Sequence, residues 1–238
     1  IRSFGADAPA QTLSEVAQRT GLTRAGARRI LLTLQGLGYV ESRGRQFRLT
    51  ARTLELGFAY LSSLPLWNLA EPVVETLAAA AGGRCAVAVL DGDEIVELLQ
   101  VSTAGLVRTT PGLGSRLPAF CTASGRVLLA ALAPDECRAR LDAAPRRAFT
   151  ARTLTAVDRL DDAIALARRQ RWCLVDGEFH EGALALAAPV VDRSDRTIAA
   201  LEVGGHADRY TAAQMQEQVL APLCEAAARL SELVRMKS

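Results

Sequence analysis

The sequence has few of the residues on which several classes of protein depend. Its five cysteines are odd in number, scattered and never arranged as C-x-x-C, which argues against a disulfide framework and a structural zinc site. Aromatic residues make up only 5% of the chain. No apolar run approaches the roughly 18 residues that a membrane-spanning helix needs, and the first residues show no signal-peptide pattern. We therefore expect a soluble, cytoplasmic protein with no membrane partner.

The remaining composition is that of a folded protein with an uneven distribution of charge. Half of the residues are hydrophobic and 23% are charged, so disorder is not expected. Residues 1–60 contain nine arginines and four acidic residues, a net charge of +5, and because the whole chain carries +2 the remainder carries −3. A basic module on a mildly acidic body is typical of a protein that contacts phosphate at one end, although a solvated basic face has the same charge.

The basic segment has the pattern of a winged helix-turn-helix. Thr12 and Glu15 form a capping box that starts a short helix, and Gly21 suits its C-terminal cap. A second helix is predicted to follow Thr23, with one apolar face formed by Ala27, Ile30, Leu34 and Leu37. Two short strands at 38–42 and 46–49 around a glycine turn predict a wing. We expect the chain to begin inside the first helix of this module, at residues 1–4.

The position of the arginines in this module predicts contact with double-stranded operator DNA. In a helix-turn-helix the second helix places its N-terminal residues in the major groove. The residues at this helix start and at the wing tip are therefore the predicted DNA contacts: Thr23, Arg24, Arg28, Arg29, Arg43 and Arg45. Arginine pairs with guanine and also binds phosphate, so the choice between base and phosphate contact stays open for each of them.

Two helical segments after the wing are expected to connect two domains. One is predicted over 51–61, capped by Thr50, and the other over 66–81, where Pro72 either kinks the helix or marks its true start. Their apolar stripes are Leu54, Phe58 and Leu61 in the first and Leu66, Leu69, Val73 and Leu77 in the second. Because such a stripe must be buried, we expect a homodimer or a dimer of dimers. Packing of the second helix against the C-terminal domain is the alternative.

The rest of the chain alternates strand and helix patterns and predicts an α+β domain with an antiparallel sheet. Strands are predicted at 85–90, 94–101, 106–109, 173–175, 184–191 and 198–204. Helices are predicted at 125–132, capped by Thr122 or Ser124, and at 134–143, 157–170 and 212–235. The fold class is thus multi-domain α/β, with a DNA-binding domain over 1–62, a linker helix over 63–82 and the α+β domain over 83–238.

Four motifs in the last of these domains carry a family resemblance. They are GSRLP at 114–118, TASGRVLLA at 122–130, DGE at 176–178 with EG at 181–182, and APV at 188–190. In this order behind a winged helix they resemble the IclR family of bacterial transcriptional regulators. The resemblance implies a GAF-like effector domain in which a six-stranded sheet and facing loops enclose a small-molecule pocket. It implies no cofactor.

Three further segments are similar to one branch of this family, the regulators of aromatic-acid breakdown through the β-ketoadipate route. They are LPLW at 64–67, VLDGDEIV at 89–96 and RLPAFCT at 116–122. That branch responds to protocatechuate, 4-hydroxybenzoate or related acids. The chain departs from it at 183–185, where the branch has an Arg-Ser pair, and at 103–105, where it has basic residues. The resemblance implies an aromatic or short organic acid as the effector.

By the same similarity, the effector pocket draws on residues from several strands and loops. They are Leu106, Ala123, Ser124, Asp176, Ala183, Ala185, Glu202 and Gly204, with Arg108 or Arg116 as a carboxylate partner. Arginine matches a carboxylate with two parallel hydrogen bonds, but Arg116 could instead tie its loop to a neighbouring acidic residue. The helix start at 123–125 suits an anion, because its free backbone N–H groups and dipole favour negative charge.

Two other classes of function compete with a regulator. An enzyme would use Cys121 as nucleophile with His180 or His206 as base, but no local motif supports this. A metal-responsive regulator would use Asp176, Glu178, His180 and Glu181, although acidic loop residues are usually solvated. We favour a non-enzymatic regulator in which the effector changes the populations of dimer geometries. The effector itself, the operator sequence and the direction of regulation stay open.

Overall fold

The computed structural model describes residues 1–64, 66–102 and 112–237. It divides into two compact units, Ile1–Leu64 and Pro65–Ser238, and each is described by itself. The strand predicted at 106–109 and the predicted effector residues Leu106 and Arg108 lie outside the described residues.

The first unit is a small helical module with a three-stranded antiparallel sheet. Its elements are β1 (Ala10–Thr12), α1 (Leu13–Thr20), α2 (Arg24–Gly36), β2 (Val40–Arg43), β3 (Gln46–Leu49), a short 3₁₀ helix (Ala51–Thr53) and α3 (Leu54–Ser63). The sheet order is β1-β3-β2, and β2 and β3 form the predicted wing. The winged helix-turn-helix is confirmed.

Local sequence signals explain where the first two helices begin and end. The backbone N–H of Glu15 donates to the Thr12 hydroxyl at 3.4 Å, and the backbone N–H of Thr12 donates to the Glu15 carboxylate at 2.7 Å. This reciprocal pair is the predicted capping box. Gly21 ends α1 with φ +67°, a conformation that is strained for any residue with a Cβ. Both boundaries therefore follow from side-chain and backbone chemistry within the segment.

Three expectations for this unit are corrected. The buried face of α2 consists of Ala27 and Leu31 with Leu34 partly buried, whereas Ile30 and Leu37 are exposed, because the helix turns Leu31 toward Phe4 and Val16. Residues 1–4 form a hydrogen-bonded turn instead of a helix end, and β1 follows on the free edge of β3. The Thr50 hydroxyl donates to the Gly38 carbonyl and caps no helix.

The second unit is an α+β domain built on one antiparallel sheet. Its elements are α4 (Trp67–Ala81), β4 (Arg84–Asp91), β5 (Glu94–Ser102), β6 (Arg116–Pro118), α5 (Ala123–Ala130), α6 (Pro134–Ala143), α7 (Val157–Gln170), β7 (Cys173–Asp176), β8 (Ala183–Val191), β9 (Thr197–His206) and α8 (Ala212–Lys237). The sheet has six strands in the order β6-β5-β4-β9-β8-β7. The α+β fold with an antiparallel sheet is confirmed.

Helices cover the two faces of this sheet differently. One face packs against α5, on which α7 lies in turn, and the buried residues of this layer include Ala88, Ala187 and Ala200. On the other face α8 packs along β8 and β9 and also contacts α4, and the Met215 side chain of α8 lies beside Gly205. On the α5 face the short strand residues Ala88, Ala187 and Ala200 leave space above the sheet.

The position of α4 decides between the two predictions for its apolar stripe. Val73, Val74, Leu77 and Ala78 are buried, and the helix contacts α8, β4 and β5. The alternative, packing within the C-terminal domain, is therefore correct, and this stripe is not free for a second copy of the chain. Pro72 lies inside the helix, which begins at Trp67.

Candidate functional site

The residues predicted to contact DNA lie on the solvent side of the first unit. The Thr23 hydroxyl accepts a hydrogen bond from the Gly26 backbone N–H at 3.1 Å and so caps the start of α2. All five predicted arginines are exposed: Arg24, Arg28, Arg29, Arg43 and Arg45. Arg43 pairs with Glu41 at 3.2 Å with 69% of its side chain exposed. Such a pair is weak in water, so the guanidinium stays available to a phosphate.

The helix and the wing that carry these arginines are tied to each other. The side-chain amide of Gln35, near the end of α2, donates to the Ser42 hydroxyl of β2 at 3.0 Å. Gly44 turns between β2 and β3 with φ +62°, which suits a residue without a Cβ. The unit therefore presents the start of a helix and a wing tip, both basic, as a nucleic-acid interface would.

A cavity of about 540 Å³ lies in the second unit, on the α5 face of the sheet. This volume is in the range of sites for small molecules, about 300–1,000 Å³. Described residues of β4, β5, β8 and β9 form its base, and the loop between β7 and β8 forms one wall. Leu117, Val175 and Phe179 contribute apolar surface. The Phe179 ring packs on the Phe149 ring with centroids 4.9 Å apart.

Strand register places polar side chains around this cavity. Directly opposed residues of antiparallel strands lie on the same face of the sheet. Ala86 is opposite Gln100 on β5 and opposite Glu202 on β9, and Arg84 is opposite Gly204. Because Ala86 and Gly204 are small, the longer side chains beside them have room to extend over the sheet.

A β-bulge brings a fourth polar residue to the same face. The register of β4 and β5 shifts between Val87 and Ala88, so that Ala88 is opposite Glu97 and Leu98 has no partner. In a regular strand, residues 97 and 100 would point to opposite faces, because side chains alternate. We refer to Arg84, Glu97, Gln100 and Glu202 as the floor cluster.

One arginine holds two carboxylates in the floor cluster. The Arg84 guanidinium forms an ion pair with Glu97 and lies 3.3 Å from a Glu202 oxygen. The Arg84 side chain is 15% exposed, that of Glu97 is 1% exposed and that of Glu202 is 9% exposed. Burial alone would lower the pKa of Arg84, but the two carboxylates raise it above its ordinary value. Burial raises the pKa of Glu97, and Arg84 only partly offsets this effect.

The start of α5 is already occupied by the chain's own carboxylate. One Glu202 oxygen accepts hydrogen bonds from the Ser124 backbone N–H at 3.1 Å and from the Ser124 hydroxyl at 2.6 Å. The prediction that an effector anion binds at 123–125 is therefore corrected, because Glu202 fills that position. Thr122, not Ser124, caps the helix by accepting from the Gly125 N–H at 3.2 Å.

A buried ion pair fixes the wall loop to α5. Arg126 donates to Glu178 at 2.7 Å and to the Phe120 carbonyl at 2.9 Å, and the backbone N–H of Leu154 donates to the same Glu178 oxygen at 2.9 Å. Gly125 permits this packing, since a Cβ there would lie 2.1 Å from the Ala119 carbonyl oxygen. The loop that bounds the cavity is thus anchored by a satisfied charge pair.

The predicted effector residues that the structure describes fall into three groups. Ala183, Ala185, Glu202 and Gly204 line the cavity, and Ser124 holds Glu202, with Ala123 buried beside it. Asp176 and Arg116 do not line it. Asp176 bonds to Arg152 at 2.7 Å. Arg116 bonds to Asp91 and Glu94 at 2.7 and 2.6 Å on the edge strand β6, so its proposed role as carboxylate partner is corrected and the structural alternative is right.

Sequence reasoning missed Arg84, Glu97 and Gln100. Charged and amide residues in strands are usually assigned to the solvent-facing side of a sheet. The bulge that turns Glu97 to the cavity side has no signal in the sequence. The alternation of β4 could have pointed to Arg84, since it shares a face with Ala86 and Ala88.

The two rival functions find no support in the geometry. Cys121 is buried, and this burial raises the pKa of its thiol to about 12, so it holds no thiolate at neutral pH. Of the predicted metal ligands, Asp176 and Glu178 are engaged by arginines. Within residues 1–64, 66–102 and 112–237 no three His, Cys, Asp or Glu side chains are grouped to hold a metal ion. None of the described helices has the length and apolarity to cross a membrane.

A winged helix-turn-helix joined to a ligand-sized cavity in an α+β domain defines the class of one-component, effector-responsive DNA-binding regulators. The sequence model of the IclR helix-turn-helix domain matches residues 1–44, and that of the bacterial transcriptional regulator IclR C-terminal domain matches residues 58–232. The chain belongs to the IclR family of transcriptional regulators.

Individual relatives are consistent with this family. The Pca regulon regulatory protein of Pseudomonas putida is 38% identical over 219 residues, which cover 92% of this chain and 75% of the relative. The p-hydroxybenzoate hydroxylase transcriptional activator of Acinetobacter baylyi is 32% identical over 244 residues, covering 98% and 88%. An IclR homologue from Microbacterium hydrocarbonoxydans, solved in complex with 4-hydroxybenzoate, is 27% identical with a TM-score of 0.83, covering 99% and 95%.

These similarities confirm the predicted family and its aromatic-acid branch. Both family models describe domains of transcriptional regulators, and the similar proteins are transcriptional regulators. This confirms the interpretation of the chain as a DNA-binding regulator instead of an enzyme.

Proposed function

We propose that the cavity of the second unit binds an aromatic or short organic acid and that this binding changes the affinity of the first unit for operator DNA. The observation that carries the proposal is the cavity itself, which four of the residues predicted for the effector line directly. Its apolar wall around Phe179 suits a planar ring. The 4-hydroxybenzoate bound by the similar Microbacterium protein is a ligand of this class.

We propose that DNA is contacted by residues at the start of α2 and at the wing tip, and the exposure of these residues supports this. They are Thr23, Arg24, Arg28, Arg29, Arg43 and Arg45. We further propose Arg108 as the partner of the effector carboxylate, since Arg116 is engaged at the sheet edge. The functional division of the chain that we propose is 1–62 for DNA binding, 63–82 as connection and 83–238 for effector binding.

A homodimer, or a dimer of dimers, is proposed from the surface of α3. Four of its apolar side chains are exposed: Leu54 75%, Leu56 47%, Phe58 66% and Tyr60 50%. A helix that is apolar on all sides is normally buried, and a second copy of the chain would cover it. Two copies would also present two recognition helices to a palindromic operator.

Operator binding measured by fluorescence anisotropy, with and without acids, tests the proposal. Arg28→Ala and Arg43→Ala should each weaken operator binding and make its salt dependence less steep, because each removes a phosphate or base contact. An acid that binds the cavity should change the operator affinity of the wild-type chain, and operator should change the affinity for that acid by the same factor.

Arg138→Ala serves as the control, because this arginine lies in the second unit and pairs there with Asp158 and Asp161. Unchanged operator affinity in both first-unit variants would show that the groove assignment is wrong. An acid panel that neither shifts the thermal stability nor alters operator binding would refute the acid effector.

A further inference from the structure

The floor cluster has an excess of negative charge, and this limits which end of an acid can approach it. Arg84 is the one arginine or lysine among the described lining residues, and it is already shared by Glu97 and Glu202. One cation thus faces two buried carboxylates. A third carboxylate, brought by a ligand, would meet like charges in a site of low dielectric, where repulsion is strong.

The same cluster has hydrogen-bond acceptors that no protein group uses. The side-chain oxygen Oε1 of Gln100 is buried and has no partner, although the residue lines the cavity. Glu202 Oε2 already accepts two hydrogen bonds from Ser124, but Oε1 has only Arg84 as a donor and can accept a second hydrogen bond. Buried polar groups are normally satisfied, so these acceptors indicate a donor that arrives with the ligand.

One unused donor is also present, and its position does not favour an acid group. The Nε of Arg84 is buried without a partner. A ligand carboxylate that reached it would lie next to the two carboxylates that Arg84 already binds. Neutral O–H groups avoid this repulsion, because they can donate to Gln100 or Glu202 and accept from Arg84 in the same place.

We propose that the floor cluster selects effectors that carry a hydroxyl group remote from their carboxylate, with Gln100 and Glu202 accepting hydrogen bonds from that hydroxyl. The ligand then lies with its hydroxyl on the floor and its carboxylate toward the exposed rim, where His180 and Glu181 lie. This inference rests on the proposed function, since it assumes that the cavity binds an acid. The Glu202 carboxylate thus has two roles: it accepts the hydrogen bonds at the start of α5, and it accepts a hydrogen bond from the hydroxyl of the ligand.

The test compares hydroxylated acids with matched acids that lack the donor. Isothermal titration of the full-length chain with 4-hydroxybenzoate, 3-hydroxybenzoate, benzoate and 4-fluorobenzoate gives the ratio of dissociation constants between donor and non-donor ligands. We expect at least one hydroxybenzoate to bind about tenfold or more tightly than benzoate and 4-fluorobenzoate, because a ligand without the donor leaves buried acceptors unpaired.

Variants then locate the group that reads the hydroxyl. Glu202→Gln keeps the size of the side chain and removes its charge, and Gln100→Leu removes the unused acceptor. Each should reduce the ratio at least about threefold, mainly by weakening the hydroxylated ligand, as expected when one acceptor is lost. Glu181→Gln makes the same carboxylate-to-amide change at the exposed rim and should leave the ratio unchanged. Gln100→Leu keeps the test open if Glu202→Gln does not fold, since Gln100 has no protein partner at Oε1.

Each outcome bears on the proposal. A ratio near one in the wild-type chain, with measurable binding of all four acids, overturns the inference and leaves the proposed function intact. A high ratio that neither floor variant changes, or that Glu181→Gln lowers equally, overturns the assignment of the hydroxyl to the floor cluster. Failure of every acid to bind overturns the inference together with the acid effector.

Discussion

Among the described residues of the second unit, Glu97, Glu178 and Glu202 are the buried glutamates, and they differ in how many cations they face. Glu178 has Arg126 and a backbone N–H as partners. Glu97 and Glu202 share one arginine, and Glu97 has a second oxygen with no partner. A buried charge without full compensation costs free energy. The buried carboxylate of Glu97 therefore lowers the stability of the folded state, while its charge contributes to the chemistry of the cavity.

The pH dependence of stability should reveal this cost at Glu97. Because its pKa is raised in the folded state, its contribution to stability is fully present below the ordinary value of 4.5 and is lost as the pH rises through the raised pKa. Glu97→Gln removes this titration and keeps an oxygen that can accept from Arg84. Urea unfolding should therefore show the variant gaining stability relative to wild type between pH 4.5 and neutral pH.

Glu232→Gln is the control for loss of one negative charge, since Glu232 is exposed on α8. A difference between Glu97→Gln and wild type that is the same at both ends of this pH range would contradict the account.

At the scale of elements, two glycines in helices have opposite surroundings. A Cβ at Gly125 in α5 would lie 2.1 Å from the Ala119 carbonyl oxygen, whereas a Cβ at Gly57 in α3 would meet nothing within 4 Å. The first glycine allows a close approach of backbone to backbone, and the second only weakens its helix. The same change to alanine should thus have opposite signs in the two helices.

Gly125→Ala should destabilise the second unit by about 1–3 kcal/mol or more, because backbone atoms cannot yield as a side chain can. Gly57→Ala should stabilise α3 by about 0.5–1 kcal/mol. Both tryptophans, Trp67 and Trp172, lie in the second unit, so tryptophan fluorescence follows that unit and circular dichroism follows the whole chain. Gly125→Ala should lower the midpoint of the unfolding transition followed by fluorescence, and Gly57→Ala should leave that midpoint unchanged. If Gly125→Ala does not lower the midpoint, the helix can shift without a cost in free energy.

The elements themselves could be predicted wherever their signals were local. Helices α6 and α7 begin and end where the sequence indicated, because Pro134 marks a first turn and the apolar period of α7 is regular. The face of α2 could not be predicted, since Ile30 and Leu31 are equally apolar and only packing against Phe4 and Val16 selects between them. Strand β1 was missed because three residues carry no period.

Only part of the candidate site could be predicted from the sequence. The small residues of β8 and β9 that line the cavity were predicted from a family resemblance, not from any local pattern. The floor cluster depends on which residues of β4, β5 and β9 oppose each other, and register between strands distant in sequence is a tertiary property.

At the scale of the whole molecule, most of the large apolar side chains that are exposed among the described residues lie in the first unit. Of the exposed large hydrophobic residues, Leu54, Leu56, Phe58 and Tyr60 all belong to α3. Surfaces of this kind normally mark an interface. Assembly of two chains through α3 would therefore connect oligomeric state to the unit that carries the DNA contacts.

A double substitution, Leu54→Glu with Phe58→Glu, should convert a dimer to a monomer, because it places like charges in the proposed interface. Sedimentation velocity measures the change, and operator affinity should fall along with it, since a monomer offers one recognition helix to each site. Leu166→Glu is the matched control, as Leu166 is 47% exposed on α7 in the second unit. A monomeric wild-type chain, or a dimeric double variant, would show that α3 is not the interface.

The unpaired Leu98 in β5 shows how the sheet tolerates an extra residue. Without it, Glu97 and Gln100 would be two positions apart and would share one face of a regular strand, so the bulge absorbs the extra residue while both side chains keep facing the cavity. A one-residue insertion or deletion elsewhere in β5, with no bulge to absorb it, would turn the residues on one side of the change to the opposite face of the sheet. A library of length changes along β5 would therefore alter the chemistry of the cavity without substituting any side chain.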